Sequence, residues 1–157
     1  MQLFIKNMNE ERAIEALNWR YAEPYDLYNN ELTNDTLQEF LGGSYHAIVD
    51  QDNALFGYFC IGEPAQVPPG RKFGVYSEDM LDVGFGMKPS RTGQGNGFEF
   101  CSFIFSYIQE NYNDSHHRLT VAIFNERAIH LYEKLGFVKR TEFDTDTTGF
   151  ITMVREA

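Results

Sequence analysis

The apolar positions of this chain change their period several times, and each change marks an element. "QLFIK" (Gln2 to Lys6) alternates and predicts a short strand. "NEERAIEALNWR" then places Ala13, Ile14, Leu17 and Trp19 at helical spacing. Asn9 is its N-cap, and Glu10 and Glu11 favour the positive start of the helix. "YAEPYDLYNNEL" carries three tyrosines and a proline and reads as a loop or broken helix. "NDTLQEFLGG" is a short helix closed by Gly42 and Gly43. "YHAIVD" and "ALFGYFCIG" are strands joined by the turn Asp50 to Asn53. A long Pro/Gly-rich loop leads into "MLDVGFGM", a strand with two glycines.

A helix from about Gly95 to Tyr112 follows, with Cys101, Ile104, Phe105 and Ile108 on one face. Phe98, Phe100, Phe103 and Tyr107 widen that face, so the helix is expected to be covered on most sides. After a polar turn, "RLTVAIF" alternates, with Leu119, Val121 and Ile123 facing one way. "NERAIHLYEKLGF" is a helix with Asn125 as N-cap, Gly136 after its end, and Phe137 where a Schellman motif wants an apolar contact. One or two strands finish the chain, the last being "GFITMVRE". This order predicts a mixed α/β or α+β protein with a mixed sheet.

A chain of 157 residues with 43% hydrophobic and 15% aromatic residues suits one domain with a substantial core. Cys60 and Cys101 both sit in apolar runs, so they read as small buried hydrophobes. No metal-ligand spacing appears, and a reducing, cytoplasmic setting fits. The N-terminus lacks the pattern of a secretory signal, and no segment is apolar enough for a membrane span. The net charge of −10 argues against nucleic acid, whose backbone demands a basic surface, and tilts towards cationic partners.

The densest local signal is "MKPSRTGQGNGFEF" (Met87 to Phe100), with Gly93, Gly95 and Gly97 at alternate positions between a strand and a helix. Free N–H groups at a helix start, the helix dipole and missing Cβ atoms together make a phosphate cradle. A tight structural turn gives the same pattern. A P-loop would need Lys-Ser/Thr after the last glycine, and a dinucleotide fingerprint would need G-x-G-x-x-G; neither is present.

This motif, followed by "NERAIHLYEKLGF", resembles the Gcn5-related N-acetyltransferase (GNAT) superfamily. The first signature there is Q/R-x-x-G-x-G/A at a strand-to-helix turn. The second is an Asn-led helix ending in Tyr-x-x-x-Gly-Phe, matched here by Asn125, Ala128, Tyr132, Gly136 and Phe137. Aligning Gly95 and Gly97 with the family glycines puts Thr92 where Gln or Arg is usual, with Arg91 one residue early. The resemblance implies a GNAT-like fold: a central, mixed, mostly antiparallel, splayed sheet flanked by about four helices. It implies a single acyl-CoA N-acyltransferase domain over residues 1–157.

What the resemblance further implies is an acetyltransferase that uses acetyl-coenzyme A as cosubstrate and needs no metal. The acetyl group would pass directly to a primary amine in a ternary complex. The pyrophosphate would rest on the turn at Thr92, Gln94, Gly95, Asn96, Gly97 and Phe98. The pantetheine arm would pair with the strand at Phe85 and Met87 and touch Asn125. The Met87 N–H is the candidate donor to the thioester oxygen, and Tyr132 the candidate general acid.

Asp82 is the acid best placed by position to serve as base, with Glu78, Asp79 and His46 as further possibilities. Trp19, Tyr21, Tyr25 and Tyr28, with Glu23 and Asp26, are expected to line a cleft for a cationic amine, as a small molecule or a peptide amine. No nucleic-acid or membrane partner is expected, and a homodimer is compatible with the family. The rival readings are a non-catalytic acetyl-coenzyme A sensor and an acyltransferase for a longer acyl donor.

Overall fold

The computed structural model describes residues 1–112 and 116–156. Among the described residues are seven strands and four α-helices: β1 (Phe4–Asn7), α1 (Glu10–Leu17), α2 (Asn34–Phe40), β2 (Tyr45–Val49), β3 (Leu55–Ile61), β4 (Leu81–Met87), α3 (Gly97–Asn111), β5 (His117–Ala122), α4 (Glu126–Lys134), β6 (Val138–Asp144) and β7 (Gly149–Arg155). The strand order is β1-β2-β3-β4-β5-β7-β6. The chain forms two compact units, Met1–Cys60 with Phe85–Asn96, and Ile61–Gly84 with Gly97–Ala157. The polar turn expected before His116 lies outside the described residues.

In the first unit, β1, β2 and the main part of β3 pair antiparallel. The Asn9 side chain accepts from the Arg12 N–H and starts α1, whose Ala13, Ala16 and Leu17 are buried. Thr33 starts α2 through a capping box with Thr36, a cap that the sequence reading did not assign. The tyrosine-rich segment is mostly irregular, with one 3-10 turn at Tyr25–Tyr28.

The second unit pairs β4 with β5 in parallel, Leu81↔His117 and Asp82↔Arg118, and then β5 with β7 and β7 with β6 antiparallel. Phe100, Cys101, Ile104, Phe105 and Ile108 of α3 are buried, as their spacing predicts. Phe98 is 50% exposed, so α3 is open to solvent at its first turn rather than covered there. β5 departs from simple alternation: His117, Arg118, Leu119, Val121 and Ala122 are all buried, while Ile123 lies past the strand end. A strand with neighbours on both edges and cover on both faces has no solvent side to alternate towards.

α4 ends as its sequence predicts. Gly136 has φ +95°, the Phe137 N–H donates to the Tyr132 carbonyl at 3.0 Å, and the Gly136 N–H donates to the Glu133 carbonyl at 3.0 Å. These are the two bonds of a Schellman motif. Phe137 is buried and meets the Tyr132 ring edge-on at 6.5 Å.

His117 gives this unit a pH dependence. Its ring is 1% exposed and stacks on Phe105 at 5.8 Å. The Arg155 guanidinium donates to its Nδ1 at 3.2 Å, which leaves the proton of the neutral ring on Nε2. Burial first, then the charges of Arg155 and His116, pushes the imidazole down to about 4. The unfolded chain, with an ordinary value near ~6.5, takes up this proton first. Stability from His117 is therefore full above about pH 6.5 and is lost as pH falls towards 4, by on the order of 2–3 kcal/mol. Melting temperature against pH should show this slope, and His117→Asn, which keeps an acceptor near Nδ1, should flatten it. An unchanged slope in the variant would remove His117 as its source.

Candidate active site

The glycine turn is held by its own side chains. The Thr92 hydroxyl donates to the Pro89 carbonyl at 2.7 Å, Gln94 Nε2 to the Ser90 carbonyl at 2.7 Å, and Asn96 Nδ2 to the Arg91 carbonyl at 3.1 Å. Arg91 ties this segment to the β2–β3 hairpin. Its guanidinium lies 3.3 Å from Asp50 Oδ2 and 5.3 Å from the centre of the Phe56 ring. Asp50 is 7% exposed, and its other oxygen accepts from the N–H groups of Asp52 and Ala54. Thr92, expected at the phosphate, thus spends its hydroxyl on closing the turn. Asp50 was missed by the sequence reading, because its value as an anchor depends on a hairpin folding against residues far along the chain.

The three glycines answer to different demands. Gly93 and Gly95 have φ of +70° and +79°, where an L side chain is strained. A Cβ on Gly95 would meet nothing within 4 Å, so backbone there faces open space. Gly97 is different: its Cβ would stand 3.1 Å from Leu131 Cδ2, so it is bare to let α3 start against α4.

Gly86 is bare because another part of the protein approaches it closely. Its Cβ would fall 2.6 Å from the Tyr58 ring. Tyr58 stacks with Trp19 at 6.1 Å and tilts against Phe40 and Tyr45 at 5.2 and 5.9 Å. Trp19 is 8% exposed, so it backs this aromatic group and does not line an open cleft. Tyr21 is half-buried and its hydroxyl donates to the Met87 carbonyl at 2.7 Å. Burial pushes this phenol up to about 12. Of the expected acceptor residues, Tyr25 and Tyr28 show surface, with Tyr28 exposed.

In the second unit, Asn125 accepts from the Ala128 N–H at 3.2 Å and so caps α4. Tyr132 sits on the buried face of α4 with Ile129. Asp82 needs a correction. Arg118 donates to its two oxygens, from Nε at 2.6 Å and Nη2 at 2.9 Å, and Gln66 Nε2 donates to Oδ2 at 2.9 Å. Asp82 is 4% and Arg118 3% exposed. Arg118 Nη1 also donates to the Val75 and Glu78 carbonyls, and its carbon centre lies 5.1 Å from the Tyr76 ring. The bonds to Asp82 push the Arg118 pKa above its already high ordinary value.

Both oxygens of Asp82 are thus occupied by Arg118 and Gln66, and burial keeps an amine from reaching them. Asp82 is therefore a structural anion. An arginine inside the apolar run "RLTVAIF" was the available sign, since a buried charge needs a partner.

Of the other candidate bases, Asp79 is exposed, and Glu78 and His46 have neighbours of their own. Glu78 pairs with Arg140 at 2.7 Å on the surface. His46 lies on β2 beside Phe59 at 4.8 Å, and burial lowers its pKa. Burial pushes the Cys101 thiol up to about 12, which disfavours a covalent acyl-thiol route through it. No metal-binding group of His, Cys, Asp or Glu occurs among the described residues, and no helix among them is long and apolar enough to cross a membrane.

A mixed sheet with a glycine turn between β4 and α3, and an Asn-capped helix closing on Tyr132, Gly136 and Phe137, defines an acyl-group transferase of the N-acetyltransferase kind. The sequence profile of the Acetyltransferase (GNAT) family matches residues 11–137, and the chain belongs to that family. No curated protein sequence matches it. Among solved structures, a chimera of spermidine N-acetyltransferase SpeG from Vibrio cholerae and hSSAT is similar. Its TM-score is 0.76 at 18% identity, over 99% of this chain and 96% of that one. A putative acetyltransferase from Acinetobacter baylyi gives 0.73 at 12% identity, over 99% and 93%. A GNAT-family acetyltransferase from Bacillus anthracis gives 0.72 at 12% identity, over 99% and 95%.

Proposed function

We propose that the chain, acting as one catalytic domain, moves the acetyl group of acetyl-coenzyme A to a primary amine of a small cationic acceptor of the polyamine class. The observation that carries this reading is the turn at Gly95. It has open backbone at positive φ immediately before α3, and Arg91 and Asp50 anchor the segment. Such a turn fits a pyrophosphate on the N–H groups of Gln94, Gly95, Asn96, Gly97 and Phe98. The pantetheine arm pairs with the strand at Phe85 and Met87.

In the transfer, the amine nitrogen bonds to the acetyl carbon and the carbon–sulfur bond breaks. The Met87 N–H faces the oxygen on which charge gathers. Tyr132 gives a proton to the leaving sulfur, and the amine proton leaves to water, because Asp82 is committed to Arg118.

Two features support a cationic acceptor. The net charge of −10 attracts cations at long range. Glu23 and Asp26 are exposed in the same segment as the exposed Tyr28 and the half-buried Tyr25. The structural neighbour from Vibrio cholerae is named for spermidine. A reducing, cytoplasmic setting suits the buried thiols of Cys60 and Cys101.

The test is thiol release from acetyl-coenzyme A with spermidine, spermine, an aminoglycoside, an amino acid and a peptide amine. Turnover is expected to be fastest with a polyamine. Tyr132→Phe should lower kcat by about 100-fold, the lower range for a lost general acid, with little change in acetyl-coenzyme A affinity. Binding without thiol release for any amine would make the chain a sensor. Faster release from succinyl or longer thioesters would change the donor.

A further inference from the structure

We infer that Tyr21 is a positioning residue of the transfer site that acts through the Met87 backbone and not on the amine. This rests on the acetyl-transfer reading above. The Lys88 N–H donates to the Phe56 carbonyl on β3 at 2.8 Å. Backbone groups alternate sides along a strand, so the N–H and C=O of Met87 point away from β3. On that side the Met87 carbonyl is taken by the Tyr21 hydroxyl at 2.7 Å.

The peptide between Met87 and Lys88 is thus held at both its oxygen and its N–H. One residue earlier, the Tyr58 ring lies where a Gly86 Cβ would be, with its nearest carbon at 2.6 Å and its oxygen at 2.8 Å. Asn30 bonds the Tyr58 hydroxyl and keeps that ring in place. Tyr21 is itself anchored, because its N–H donates to Asn29 Oδ1 at 2.7 Å.

The chemical consequence concerns charge at the end of β4. The Met87 N–H and C=O lie on the same side of the strand. A bare carbonyl oxygen there would repel the negative oxygen that forms during transfer. The Tyr21 proton covers that carbonyl, and its fixed position keeps the neighbouring N–H aimed. The phenol stays protonated across the working pH range, since burial raises it to about 12. The same bond withdraws the Tyr21 hydroxyl from the acceptor, which the sequence reading had expected it to meet.

Tyr21→Phe removes one oxygen and keeps the ring. With the polyamine that turns over best, the variant should lose about tenfold or more in kcat. Its KM for the amine and its calorimetric affinity for acetyl-coenzyme A should stay within about twofold of wild type. Asn29→Ala, which loosens Tyr21 without touching its ring, should move kcat in the same direction by less. In labelled protein without ligand, Tyr21→Phe should shift the Met87 carbonyl carbon and Lys88 nitrogen resonances more than those of Phe4 and Ile5 on β1.

A raised KM with unchanged kcat would overturn the inference and return Tyr21 to the amine site. Unchanged kinetics in an active enzyme would also overturn it. If the wild type neither binds acetyl-coenzyme A nor releases thiol, the acetyl-transfer reading fails instead, and the catalytic part of this inference falls with it. The resonance shifts then report the Tyr21–Met87 bond by itself.

Discussion

Gly95→Glu is expected to weaken acetyl-coenzyme A binding by at least about 100-fold, to the limit of calorimetric detection, while leaving a folded protein. A Cβ at this position has open space, so the loss does not come from a clash. It comes from charge and backbone geometry. A carboxylate placed over the turn opposes the phosphates that the backbone N–H groups attract. The backbone at φ +79° disfavours an L residue by about 1–2 kcal/mol, so the turn also tends to relax away from its cradle shape.

Gly95→Ala separates the two contributions, because it carries the backbone strain without the charge. It should bind within about tenfold of wild type. Gly97→Ala makes a third comparison, since its methyl meets Leu131 at 3.1 Å and disturbs helix packing rather than charge. Wild-type affinity in Gly95→Glu would mean that the phosphates lie elsewhere, and the turn would be structural.

Asp82→Ala is expected to destabilise the protein by about 3–5 kcal/mol, since it strands the buried Arg118 guanidinium without its counter-charge. For a chain of this length that corresponds to a fall in melting temperature on the order of 10 °C. Asp82→Asn keeps one acceptor for Arg118 and should lose less. A catalytic base would behave in the opposite way, with near-normal melting and a collapse of kcat. Melting curves and turnover well below the melting point therefore discriminate between the roles. A melting temperature within about 2 °C of wild type, with activity gone, would restore Asp82 to the chemistry.

These predictions draw on parts of the chain that were legible to different degrees. The caps at Asn9 and Asn125 and the closure of α4 at Gly136 and Phe137 were readable in advance. The reason is locality: a cap is satisfied within four residues, so its signal lies in the sequence itself. The buried face of α3 was readable for the same reason, through its period. The exposed start of that helix at Phe98 was not, because period says which residues align and not which of them find cover.

The candidate site was less legible, since its side chains are decided by partners far apart in sequence. Asp82 reads as an available acid until Arg118, 36 residues on, donates to both its oxygens. Nothing near Gly86 in the sequence says that the Tyr58 ring packs where its Cβ would be. Tyr21 reads as an amine contact until its hydroxyl reaches Met87, 66 residues away.

By itself, then, the sequence determined the order of elements, the start of α1, both ends of α4, the glycine turn and the paired motifs of an N-acetyltransferase. These rest on short-range hydrogen bonds and on the period of apolar side chains. The tertiary structure alone decided which polar groups are spent inside the protein and which are left for chemistry. Burial makes an unpaired charge or carbonyl costly, and only the folded chain brings together the distant residues that can pair them.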